Sequence, residues 1–70
     1  MQIRVHYCDS SNKNRDEMIE LPKLSSVQSL TEKISLPYPV TAVINGAMVP
    51  PGFVLQEDSE VFVFRQMAGG

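Results

Sequence analysis

Seventy residues with a net charge of -2 make one small domain with room for a single hydrophobic core. Hydrophobic residues form 43% of the chain, the ordinary level for a globular protein, which excludes a solvated disordered polymer. Lys and Arg are scattered, which excludes a basic nucleic-acid footprint; no apolar run reaches membrane-span length, and the lone Cys8 cannot form an internal disulfide.

The elements follow in chain order. From Met1 to Cys8 the chain alternates, with Met1, Ile3, Val5 and Tyr7 on one side and Gln2, Arg4 and His6 on the other, as in a half-buried strand. Asp9 to Arg15 is polar throughout and predicts a hairpin loop. A second strand is expected around Asp16 to Leu21, with Ile19 and Leu21 sharing a face and Pro22 ending it. Ser25 and Ser26 both suit a helix N-cap, and Ser25 with Gln28 would form a capping box. Val27, Leu30 and Ile34 then make one apolar stripe on a helix of about ten residues. Leu36-Pro37-Tyr38-Pro39 predicts an extended connection, because residues before proline avoid the helical region.

Val40 to Ile44 is β-branched and apolar and predicts a buried strand. Asn45-Gly46 is a strong hairpin signal, since both residues tolerate positive φ. Ala47 to Val49 is the short return strand, closed by Pro50-Pro51-Gly52, and Phe53 to Leu55 is expected to dip back into the core. Gln56 to Ser59 is a polar turn. Glu60 to Phe64 is the last strand, with Val61 and Val63 on one face and Phe62 and Phe64 on the other.

One helix must then cover one face of a mixed sheet of four to five strands, an α+β arrangement with the first and last strands side by side in the middle. Residues 1–65 form the domain and residues 66–70 an exposed tail ending Ala68-Gly69-Gly70. Glycine has no Cβ, so such a tail is thin enough for a narrow slot and offers a terminal carboxylate with no side chain beside it. That suits activation by another protein's active site.

The strand order with a diglycine end resembles the β-grasp fold of ubiquitin-like proteins. Ala42-Val43-Ile44-Asn45-Gly46 followed by Met48-Val49-Pro50, the acidic turn Glu57-Asp58-Ser59-Glu60-Val61, and the tail Phe64 to Gly70 resemble the bacterial sulfur carriers of thiamine and molybdopterin biosynthesis. The usual glycine of the acidic turn is Ser59 here. The resemblance implies a carrier that is not itself an enzyme and binds no cofactor. Its Gly70 carboxylate would be adenylated by a ubiquitin-activating-type adenylyltransferase, using ATP and magnesium, and converted to a thiocarboxylate. A downstream sulfur-accepting synthase would then take the sulfur. Gly70 is thus the reactive position, with Gly69 and Ala68 as the slim approach. The long Asp9–Arg15 loop leans toward the molybdopterin type, while Val49-Pro50 and the Ala-Gly-Gly ending lean toward the thiamine type, which is preferred. A protein modifier joined to lysines would use the same activated carboxylate and stays open beside both.

Phe62 and Phe64, with Val43 on the neighbouring strand and Arg4 and His6 nearby, are the expected partner-binding patch, because aromatic residues on an open sheet face mark contacts. His6 and Cys8 share a face, but one His and one Cys fall short of a zinc ligand set, so no metal is expected. Asp16, Glu17 and Glu20, and Glu57, Asp58 and Glu60, form two acidic clusters best read as solvated faces. The only histidine has no nucleophile partner in prospect. Gly46 and Gly52 lack the glycine count and the following Lys-Ser/Thr of a phosphate loop. The absence of an internal disulfide, of a signal peptide and of a membrane span implies a cytoplasmic protein, and the small size and solvated loops imply a monomer in isolation.

Overall fold

Alternation governs the first strand, β1 (Gln2–Cys8): Ile3 and Val5 are fully buried while Gln2 and Arg4 face solvent. The structure is a computed structural model that describes residues 1–9 and 11–66. The other elements are β2 (Asn14–Glu20), α1 (Val27–Ile34), β3 (Val40–Ile44), β4 (Ala47–Val49) and β5 (Glu60–Arg65). They build one five-stranded sheet in the order β2-β1-β5-β3-β4. β1 and β5 pair in parallel at the centre, and every other pair is antiparallel. This is the expected mixed-sheet α+β β-grasp arrangement, with the first and last strands adjacent.

Helix α1 seats Val27 and Leu30 against Ile3, Val5, Ala42, Val61 and Val63, and Leu30 is wholly removed from solvent. Ser26, not Ser25, is the N-cap: its hydroxyl oxygen accepts from the Ser29 amide at 3.3 Å. The Ser25 hydroxyl instead donates to Pro22 O at 2.7 Å, so the Ser25–Gln28 capping box does not form. Two further amides at the helix start, Val27 and Gln28, donate to the carbonyls of Phe53 and Pro51 at 2.9 Å each. The chain after β4 therefore satisfies donors that the helix itself cannot. Ser35 ends the helix in the left-handed region, its amide bonded to Thr31 O.

Three further expectations need adjustment. β2 starts at Asn14, earlier than Asp16, because Asn14 and Arg15 pair with Cys8 and Tyr7. The connection shrinks to residues 9–13 and closes on an Asp9 N–H bond to Lys13 O. β3 buries only Ala42 fully, since Thr41 and Val43 alternate onto the opposite face. Of Phe53 to Leu55, only Leu55 enters the core, at 2% exposure; Phe53 and Val54 stay at the surface, where Val54 bridges to Ser26.

The two turns that frame β5 and β3 use left-handed residues where the sequence offers tolerant ones. Asn45 and Gly46 both have positive φ, 54° and 80°, as the Asn-Gly signal demands of a twisted two-residue hairpin. In the acidic turn the left-handed residue is Asp58, at φ 63°. Ser59 thus takes the place of a glycine without strain, and its hydroxyl closes the turn by donating to Gln56 O at 2.6 Å.

Candidate functional site

The sheet has one covered face and one open face. The strand registers set side chains of the open face opposite one another across all five strands. Asp16 pairs with His6, His6 with Phe62, Phe62 with Val43, and Val43 with Met48. Phe64 stands one step along β5, opposite Thr41. Phe62 is 39% exposed, Phe64 55% and Met48 78%, whereas Val61 and Val63, which alternate with the phenylalanines along β5, are buried. The expected grouping of Phe62, Phe64 and Val43, with Arg4 and His6 beside them, is thus brought together on one surface.

Large apolar side chains are usually withdrawn from water, so contiguous exposed aromatics and methionines mark a contact surface. Met18, opposite Arg4 on β2 and half exposed, widens the patch. Met18 and Met48 were readable in principle. Ile19 points inward, so Met18 must point outward, and the Asn-Gly hairpin fixes Met48 opposite Val43.

His6 is built into the patch. Its ring stacks on Phe62 with centroids 4.6 Å apart and planes 17° from parallel. Nε2 lies 2.7 Å from Glu60 Oε2, and Nδ1 lies 3.5 Å from Asp16 Oδ2. Arg4 Nη1 approaches the other Asp16 oxygen at 3.8 Å. These contacts hold the imidazole flat, and the imidazole in turn limits the ring positions open to Phe62. A hollow of ≈ 460 Å³ lies beside the stack, lined by Cys8, Arg15, Phe62 and Phe64 among others.

The acidic clusters of the sequence are divided among separate partners. Glu17 accepts from the Tyr7 hydroxyl at 2.8 Å, and Glu57 accepts from the Gln2 amide at 2.6 Å. Burial, then the Glu17 hydrogen bond, push the Tyr7 phenol above its ordinary value. Asp9 accepts from the amides of Ser11 and Lys13 and from Arg15 Nε, at 2.9, 3.0 and 2.7 Å. The Arg15 bond, then the Lys13 amide, hold its carboxyl below the usual range. Both groups serve the β1–β2 hairpin. Among the described residues no group of three or more His, Cys, Asp or Glu is placed to hold a metal ion.

Where β5 ends, the Gln66 amide donates to Pro39 O at 2.9 Å. The expected reactive position Gly70, with Ala68 and Gly69, lies outside the described residues. Among the described residues no helix is long and apolar enough to cross a membrane.

The family model described as the ThiS family matches residues 7–70, from β1 through the diglycine. The chain belongs to the ThiS family. ThiS family proteins are small ubiquitin-like sulfur carriers rather than enzymes, and they work with an adenylyltransferase and a sulfur-accepting enzyme. A search of curated proteins finds no match.

Proposed function

We propose that this ThiS family chain carries sulfur as a thiocarboxylate on Gly70 for thiazole formation in thiamine biosynthesis. The observation that carries the reading is the family match over residues 7–70, which runs from the last two residues of β1 to the Ala-Gly-Gly end. Val49-Pro50 and the Ala-Gly-Gly ending support the thiamine type over the molybdopterin type.

The chemistry runs in two balanced steps. A Gly70 carboxylate oxygen bonds to the α-phosphorus of ATP in the partner's site, the bond to the β-phosphate bridge breaks, and pyrophosphate leaves. The resulting mixed anhydride is a far better electrophile than a carboxylate. Hydrosulfide then attacks the carbonyl carbon; a C–S bond forms, the C–O bond to phosphate breaks, AMP leaves, and the sulfur's proton goes to solvent. No residue of the carrier transfers a proton or electrons in either step. Its contribution is binding through Phe62, Phe64 and Val43 and delivery of an unencumbered end. ATP and magnesium belong to the activating enzyme.

Reconstitution tests this reading. The full chain is incubated with a ubiquitin-activating-type adenylyltransferase, ATP, magnesium and sulfide, and its intact mass is measured. Replacement of one oxygen by sulfur is the expected result. Ladders of lysine conjugates in cell extracts, with no thiolated monomer, would replace it with a protein-modifier role.

A further inference from the structure

Tyr38 stands in the proline-flanked connection between α1 and β3, yet both of its side-chain contacts reach strands distant in sequence. Its hydroxyl donates to Cys8 O at the end of β1. The Arg65 guanidinium carbon lies over its ring, 5.0 Å from the centroid, within the range of a cation–π contact. On either side of this pair the backbone is tied as well: Val40 pairs with Arg65, and the Gln66 amide bonds to Pro39 O. The end of β1, the entry to β3 and the last residues of β5 are thus gathered around one half-buried ring.

We propose that Tyr38 is a positioning residue for the carrier reaction: it fixes where, and in which direction, the chain beyond Gln66 leaves the sheet. The proposal rests on the reading of Gly70 as the reactive group. The open face docks on the activating enzyme, and the sheet edge at Gln66 then sets the origin from which Gly70 must reach the nucleotide. Without the ring, Arg65 and Gln66 are held by backbone bonds at a strand end alone, where opening costs little. Each opening adds two residues to the span between the docked sheet and Gly70. The direction in which the chain leaves the sheet is then no longer fixed, and a misplaced reacting group lowers turnover, here by about three- to tenfold.

The test measures pyrophosphate release by the activating enzyme with ATP, magnesium and saturating carrier, beside the Kd of the carrier–enzyme complex. Tyr38→Leu is expected to lower kcat about three- to tenfold while leaving Kd unchanged. Tyr38→Phe keeps the ring under Arg65 and should recover most of the loss. Arg65→Ala should lower kcat alone and add nothing in the Tyr38→Leu background. Since Arg65 is exposed, that variant carries the test if Tyr38→Leu does not fold. Hydrogen exchange at the Gln66 amide should quicken in Tyr38→Leu and not in Phe62→Ala, which separates anchoring from general destabilisation. A wild-type kcat in folded Tyr38→Leu or Arg65→Ala overturns the anchor alone. No pyrophosphate release from the wild-type chain overturns the Gly70 reading and the anchor with it.

Discussion

The imidazole of His6 stacks on the ring of Phe62 because parallel pairing of β1 and β5 sets the two residues side by side on the open face. Glu60 and Asp16 flank the imidazole and keep it in the plane that Phe62 meets. His6→Ala removes the stack and frees the phenylalanine. Aromatic pairs of this kind contribute about 1 kcal/mol, so affinity for the activating enzyme should fall about fivefold. Titration calorimetry measures it; an unchanged Kd would show that the stack plays no part in docking.

The phenylalanines themselves should matter more to binding than to folding. Both are substantially exposed, and their buried neighbours Val61 and Val63 carry the core. Phe62→Ala with Phe64→Ala is expected to cost about 2 kcal/mol or more in partner binding and about 1 kcal/mol in unfolding free energy. Calorimetry and urea unfolding give the two numbers. A loss in stability that equals or exceeds the loss in binding would make the pair structural.

Much of this arrangement was legible in the residues, for definite reasons. A period of two is a direct record of which face a side chain takes, so the alternation alone sends Ile3, Val5, Val61 and Val63 inward and Phe62 and Phe64 outward. The Asn45-Gly46 turn announced its hairpin because few other pairs accept positive φ twice. Edge strands were harder. Asn14 and Arg15 are polar and read as loop, but β2 lies at the sheet edge, where solvated side chains are tolerated on both faces. Choosing between Ser25 and Ser26 as cap depended on where Pro22 and Phe53 lay in space. Tyr38 was the least readable: its partners, Cys8 and Arg65, lie far off along the chain, and nothing local to Pro37 and Pro39 points to them.

The helix should prove decisive for stability. Leu30 is the residue by which α1 meets the sheet, and none of it is exposed. Leu30→Ala leaves a cavity under the helix and should cost about 3 kcal/mol. In so small a domain that is a large share of the total, so the urea midpoint should drop steeply with little change in slope. A loss below about 1 kcal/mol would show that the site collapses around the cavity.

The Asn-Gly turn offers a cleaner backbone test. A Cβ on Gly46 would meet no atom within 4 Å, so crowding is not at issue there. Its φ of 80° is the whole cost. Gly46→Ala should therefore destabilise by about 1 kcal/mol, read from urea unfolding, without altering the sheet. A neutral result would mean that the turn relaxes to another type.

The β1–β2 hairpin should respond to acid through Asp9. Its carboxyl is held below the ordinary value first by the Arg15 hydrogen bond and then by the Lys13 amide. A depressed folded-state value means that the stabilisation is present above the unfolded-state value and is lost as pH falls through the folded-state value. Asp9→Asn cannot pair ionically with Arg15. The stability gap between wild type and Asp9→Asn should thus be widest near neutrality and narrow in acid below the carboxylate range. A gap independent of pH would remove the Asp9–Arg15 pair from the explanation.

Locating the transferred sulfur tests the carrier role most directly. The product formed with the activating enzyme, ATP, magnesium and sulfide is fragmented in a mass spectrometer. The expected spectrum has sulfur in place of one carboxylate oxygen on Gly70 and nowhere else. Sulfur found on Cys8, or a Gly70 carboxylate left unchanged by an enzyme that binds the carrier, would contradict the claim that the chain works through its final residue.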